Sequence, residues 1–512
     1  MTRTGPEMNA ALALTRFGLG ARPGEIGSVG RDATGWLLGQ IRPEGAAPWR
    51  GDFVGGAERM AQINAYRRQI EPQTNGEPRR PAQAAQPAQT AQPAMNAPMQ
   101  DGRREGDPAA FDAAVASRRV IGQDVGREFL ARAQLGASTP DGFAERWALF
   151  WANAFTVSAT KFVAGAQSGP YEREAIRPNV FGRFADLAVA AERHPAMLLY
   201  LDQAQSIGPN SRAGQRRNAG LNENLAREIL ELHTVGADGG YTQADVTEFA
   251  RALTGWSVAA PRDGMGGGMG AQGGGRRGQA MRAALQGEPG PNGFVWRTIL
   301  HEPGARTVMG RTYRDGRAEQ GEAILRDLAA RPQTARRLAR KIAAHFVADD
   351  PPPALVARLE AAWTRTDGDL AEMARALVTA PEAWEPAPLK VKTPYEFVIS
   401  THRALASNPA RIQPLQQALL AMGQPMWAPP SPEGWPDTAA DWAGPDAMVK
   451  RLTWAQAVAE RAQGAAGFDP NAVADAALAA RLGDRSRMAI RRAESRTEAL
   501  ILLLMSPEFQ RR

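Results

Sequence analysis

The chain is 512 residues long, 43% apolar and 22% charged, with a formal net charge of +7, a composition that fits a soluble globular protein and excludes collagen-like or wholly disordered chains. It has no cysteine, which excludes disulfides, thiolate metal sites and cysteine nucleophiles. Only five of its 61 basic residues are lysine (Lys161, Lys341, Lys390, Lys392 and Lys450), and the arginines are dispersed beside Asp and Glu, not gathered in a stripe with aromatics, so nucleic acid is not an expected partner.

Residues 1–71 read as an N-terminal helical part. Their apolar patch, Ala10 to Leu14, ends at Arg16 with no small-residue cleavage site behind it. No secretory leader is therefore expected, which places the protein in the cytoplasm. Segment 72–108 repeats Ala-Gln-Pro units without an apolar face and is expected to be a disordered surface insertion. Helix then runs from 109 to 134. Thr139 and Pro140 supply an N-cap and first-turn proline for a helix carrying Phe143, Trp147, Phe150 and Trp151. Further helices follow at 180–193 and after Pro195.

Residues 222–256 are the densest stretch, and they read as an αα-hairpin inside a helical core of 109–260. Asn222 or Asn224 can cap the first helix, Leu225, Ile229 and Leu232 form its apolar stripe, and Gly236 stops it. Thr242 and Asp245 form a capping box for a second helix that buries Val246, Phe249, Ala250 and Leu253. Segment 261–292 is rich in Gly, Met and Arg, lacks the Gly-Lys-Ser/Thr of a phosphate loop, and is expected to be a second disordered insertion.

From 293 to 512 the helical pattern resumes as part of the same body, after one small β-hairpin near 294–313 with its turn signal at Glu302-Pro303-Gly304. Helices are expected at 317–330, 333–348, 369–379, 394–406, 411–422, 445–463 and 490–505. The longest apolar run, Ala499 to Met505, is far short of the ~20 residues that span a bilayer. The fold class is all-α: one large multi-helix body with one hairpin and two disordered insertions.

The candidate chemistry gathers between 194 and 245. Asp202, Asn222, Asn224, Arg227, Glu228, Glu231 and His233 lie close in sequence. Carboxylate and amide oxygens there, with Asp202 and Glu228 foremost, could hold a divalent cation such as calcium or magnesium. Glu228 or Glu231 could act as a general base assisted by His233. The competing reading is structural: Arg227 stands at i,i+4 from both Glu223 and Glu231, the spacing of an ion-pair network that fixes helix register. No histidine pair has the zinc-protease spacing and no GxSxG elbow occurs. A second constellation, Trp427, Trp435 and Trp442 among five prolines, either stacks on sugar rings or a peptide, or packs across helices. Packing is favoured because each exposed indole would cost much apolar area.

The chain resembles the bacterial family of unknown function catalogued as DUF1800, almost end to end. The stretches that carry the resemblance are RFGLGARPGE (from residue 16), YEREAIRP (171–178), ERHPAMLLYLDQAQSIGPNS (192–211), NENLAREILELHTVG (222–236) and GGYTQADVTEFARALTGW (239–256). They continue with HEPG (301–304), FVADDPPPALV (346–356), TDGDL (366–370), KTPYEFVISTHRAL (392–405), GQPMWAPPSPEGWPD (423–437) and SPEFQRR (506–512). The resemblance implies a mostly helical protein. It also implies a partner, since such proteins are encoded beside family 1501, which resembles sulfatases and alkaline phosphatases and bears a twin-arginine export signal. The chain departs from the family at Ala154 and Asn179, where the resemblance implies histidine. The expected function is a non-enzymatic accessory to such an exported protein, periplasmic by co-export if the partner carries it. The alternative is a hydrolase or divalent-metal-dependent enzyme centred on 194–245. An enzyme would line one open pocket with Asp202, Asn222, Glu228 and His233; an accessory protein would bury them.

Overall fold

Apolar residues recur at three- and four-residue spacing through most of the chain, and helix dominates accordingly. The computed structural model describes residues 5–70, 108–216, 220–259, 283–387, 390–463 and 468–512. The expectation of disorder at 72–108 falls outside the described residues except at its last position, and that at 261–292 does so up to residue 282. The protein is all-α with two small sheets.

One contiguous cluster of buried apolar side chains runs from Ala10 to Phe509. At its centre Phe143, Trp147, Phe150 and Trp151 of helix Gly142–Ala154 meet Phe17, Phe346 and Phe184, with ring centroids 5.0 to 6.4 Å apart. Trp147 is fully buried and its indole N–H donates to the Val180 carbonyl at 2.7 Å. Truncating such a side chain to alanine costs about 3–5 kcal/mol. The helix starts two residues later than its Thr-Pro signal. Thr139 Oγ1 accepts from the Asp141 amide at 3.1 Å, shaping the turn before the helix instead of capping it.

The αα-hairpin forms with its capping box intact: Asp245 N–H donates to Thr242 Oγ1 at 3.2 Å and Thr242 N–H to Asp245 Oδ2 at 2.7 Å. Asn222 serves the first helix, its Oδ1 accepting from the Asn224 amide at 2.9 Å, while Asn224 is itself the first helical residue. The apolar stripe differs from the expected one. The α-helix Asn224–Glu228 continues as a π-turn, Ile229–His233, whose wider ring carries Leu230 and His233 inward and leaves Leu232 half-buried.

The strands also differ in partner from the expectation. We label Trp256–Val258 β1, Glu288–Pro289 β2, Phe294–Trp296 β3, Arg306–Val308 β4 and Arg311–Tyr313 β5. The run at 294 pairs antiparallel with β1 and β2. Residues 283–292, assigned from composition to the second disordered insertion, thus contribute a short strand. The hairpin is β4 with β5, turning at Met309-Gly310, both at positive φ, the backbone that a two-residue hairpin loop requires. Glu302-Pro303-Gly304 is not that turn. Glu302 instead accepts from the Asn210 amide and side chain at 2.7 and 2.6 Å, tying the loop after helix Pro195–Tyr200 to the sheet.

Candidate functional site

The polar side chains of 194–245 are mostly engaged with one another or with neighbouring elements. Asp202, at φ 58, pairs with Lys161 at 2.6 Å. Asn222 receives no ligand-like role: its amide donates to Ser206 Oγ at 3.1 Å and its Nδ2 to the Leu201 carbonyl at 3.2 Å, which fastens the start of the hairpin to the preceding loop. Asn224 is exposed. Arg227 bridges Glu223 at 3.2 Å and Glu231 at 3.6 Å, and donates to Gln243 at 2.9 Å on the facing helix. Glu223 accepts from Thr247 at 2.7 Å, and Glu231 from the Tyr241 hydroxyl at 2.7 Å. These contacts clamp the two arms of the hairpin together. His233 Nδ1 lies 2.6 Å from Glu192 Oε1, both fully buried, beneath the Phe155 ring. Burial raises the Glu228 carboxyl above the usual range, with Glu231 and Glu192 pushing the same way and His233 opposing. Among the described residues no group of three or more His, Asp or Glu is placed to hold a metal ion.

Open space lies under the Trp/Pro loop. Two adjoining cavities, of about 490 and 130 Å³, share Asn153, His345, Trp435, Pro436 and Asp437 as wall residues. Helix Gly142–Ala154, helix Pro332–Phe346 and the 425–441 stretch line both of them. The loop is held by its backbone. Asn153 Oδ1 accepts from the Trp435 amide at 2.7 Å and Asn153 Nδ2 donates to the Trp435 carbonyl at 3.0 Å. Ser158 Oγ donates to the Pro429 carbonyl at 2.8 Å, and the Trp427 carbonyl accepts from Ala159 at 2.7 Å. Gly434 is needed here: at φ +94, a Cβ would stand 2.5 Å from the Asn153 carbonyl oxygen. Trp427 itself sits at φ 43, an uncommon backbone for a bulky side chain that a fixed surrounding must impose. Trp442 is buried, as packing requires, while Trp427 and Trp435 are half-buried and line the cavities.

A family model described as a protein of unknown function, DUF1800, matches residues 12–511. The chain belongs to DUF1800. No curated protein and no solved structure matches it significantly. In this DUF1800 chain, separate stretches that carry the family resemblance meet at the smaller cavity. YEREAIRP supplies Tyr171 and Glu172, KTPYEFVISTHRAL supplies Tyr395 and Glu396, and GQPMWAPPSPEGWPD supplies Trp427 and Asp437. Ala154 lies in the larger cavity's wall with His345, whereas Asn179 does not line either cavity and donates to the Ala175 carbonyl at 2.9 Å.

The walls are charged and largely paired. Arg132 pairs with Glu172 at 2.7 Å, Arg146 pairs with Glu396, and Arg512 reaches Glu396 and Asp437 at 3.2 Å each. Burial would raise the Glu396 carboxyl, but Arg146 and Arg512 outweigh it and hold the group well below the usual range. Asp437 likewise stays low against burial because His345, Arg512 and Lys390 surround it. His345 Nδ1 is 2.9 Å from Asp437 Oδ2, yet burial pushes its imidazole down to about 4, so it is neutral at physiological pH. Among the described residues its Nε2 has no hydrogen-bond partner, nor have the buried Ser168 hydroxyl and Tyr395 hydroxyl on the smaller cavity. Sequence reasoning placed His345 only within a helical pattern and did not single out Asn153, Asp437 or Arg512. The one local signal was the Trp/Pro loop, whose prolines and glycine fix a backbone against which distant helices close.

Proposed function

We propose that this DUF1800 chain is a small-molecule-binding accessory protein whose ligand occupies the paired cavity beneath the Trp/Pro loop. The observation that carries this reading is the cavity itself: its volume of about 490 Å³ falls within the range of small-ligand pockets and admits a sugar or a small metabolite. Trp435 gives it a flat apolar wall, and Ser431 and Thr438 bring hydroxyls. A polar ligand with a ring, such as a sugar, matches that lining. The use of Asn222, Arg227, Glu231 and His233 as clamps supports an accessory role over a hydrolase centred on 194–245.

The accessory role includes a protein partner, the sulfatase-like family 1501 type, and passage to the periplasm with it. Exposed apolar pairs one helical turn apart, Phe111 with Val115 and Val449 with Leu452, are surfaces a partner could cover. Native mass spectrometry of the protein purified from its own host tests the reading. A bound small molecule that Asn153→Ala releases is the expected result, and a ligand-free chain identical to the variant would refute it. Co-purification of a sulfatase-like protein tests the partner separately.

One observation favours an enzyme as the second reading. His345 is a neutral imidazole backed by a carboxylate, the arrangement of a general base. In that reading the base is His345, and not Glu228, Glu231 or His233.

A further inference from the structure

Lysine is scarce in this chain, and four of the five have a fixed contact. Lys161 pairs with Asp202, Lys390 with Asp349, Lys450 with Asp446, and Lys392 donates to Ser400 Oγ at 3.0 Å. Among the described residues Lys341 is the exception: half-buried in the wall of the larger cavity, it has no hydrogen bond or ion pair. It stands one helical turn before His345 and one turn after Arg337, so its stem shares the face that looks onto the cavity.

The acids around that cavity are mostly engaged. Asp349 takes Lys390 at 2.6 Å and the Ala439 amide at 2.8 Å, Asp437 takes His345 and Arg512, and Asp441 caps the turn at Thr438. Glu433 remains, exposed at the rim, with its charge shared between Arg337 and Lys341 and no ion pair to either. Glu433 and Asp437 attract the Lys341 ammonium only from beyond ion-pair distance; a half-buried ammonium without a direct partner is costly, and a ligand that brings one recovers that cost.

We propose that Lys341 is the anchor for an oxyanion on the ligand of the larger cavity, so that the ligand is an acidic sugar whose carboxylate, sulfate ester or phosphate ester meets the Lys341 ammonium while its ring lies on Trp435. The proposal rests on the cavity-binding reading and adds the charge of the ligand to it. Burial, with Arg337 adding repulsion, lowers the Lys341 amine to about 8. An anion seated beside it raises that value again, so binding near pH 8 takes up a proton.

The test is calorimetric titration of the full chain with glucose, glucuronate, glucose 6-sulfate and glucose 6-phosphate, with inorganic sulfate and phosphate as separate arms. At least one acidic sugar should bind about tenfold more tightly than glucose, the worth of one charge-assisted hydrogen bond. Lys341→Gln should remove that preference, so that the acidic sugar binds this variant no more tightly than glucose does, while Lys341→Arg should keep most of it. Binding at pH 8 should give a heat that changes with the ionisation enthalpy of the buffer. Glu433→Gln should leave the preference in place. Equal binding of all four sugars, retention of the preference in a folded Lys341→Gln, or no binding by any of them would overturn the proposal. If glucose binds, Trp435→Ala abolishes it and charge makes no difference, the anchor fails while the cavity reading stands. Binding of inorganic sulfate or phosphate as tight as that of the sugar esters would also overturn the sugar assignment.

Discussion

Asn153 closes on Trp435 across 282 residues of sequence through two hydrogen bonds, its Oδ1 taking the Trp435 amide and its Nδ2 giving to the Trp435 carbonyl. An amide side chain matched to a peptide unit fixes both the height and the tilt of the Trp/Pro loop over the cavities. Asn153→Ala leaves that peptide unit unmet and should cost about 1–3 kcal/mol. The expected signature in limited proteolysis is faster cleavage within 425–437, with the rest of the chain protected as before. Asn153→Asp keeps the acceptor, loses the donor and should fall between the two.

The His345–Asp437 pair gives a pH dependence. The folded imidazole sits at about 4, below its ordinary value of 6.5. Between these values the unfolded chain binds more protons than the folded one, so stability is complete above 6.5 and is lost as pH falls toward 4. One such group contributes at most about 1.4 kcal/mol per pH unit in that window. His345→Asn keeps a donor toward Asp437 without the titration, so its urea-melt stability should fall less steeply from pH 6.5 to 4. Parallel curves for the two proteins would contradict the assignment. His402, also lowered to about 4 by burial, contributes equally to both curves.

The hairpin contacts differ in depth, and so should their variants. Arg227 and its glutamates are about one-third exposed, so Arg227→Ala should cost no more than about 1 kcal/mol. His233→Ala removes a fully buried ring packed on Phe155 beside Glu192, so it should cost more, about 2–5 kcal/mol. Urea unfolding of the two variants checks the order. A mild His233→Ala would remove the clamp as the reason for these residues.

Asp202 is already paired with Lys161, so added calcium or magnesium should not stabilise the protein through it. Thermal melts with and without 1 mM of either ion, on the order of a typical extracellular calcium site, should coincide. A rise abolished by Asp202→Asn would instead establish a cation site.

What the sequence made legible was local. The Thr242–Asp245 capping box, the Gly236 stop at φ +91 and the apolar face of the second arm each depend on residues within a few positions of one another. The π-turn at Ile229–His233 was not legible, because its added backbone residue answers to packing beyond the helix. The partner of the strand at 294 was hidden for a similar reason: its edge is filled by β1, the tail of the hairpin, and by β2, which composition had assigned to an insertion. The densest run of polar residues suggests chemistry, yet ion pairs already occupy most of it. His345, Asp437 and Arg512 meet only in three dimensions, and no spacing rule joins them.

The most direct test of the cavity as the ligand site is an experimental structure of the chain purified from its native host without added ligand. The account predicts density for a small polar molecule under the Trp/Pro loop, against Trp435 and within reach of Lys341. Water alone in that cavity, with a ligand or ion bound instead among Asp202, Glu228 and His233, would contradict it.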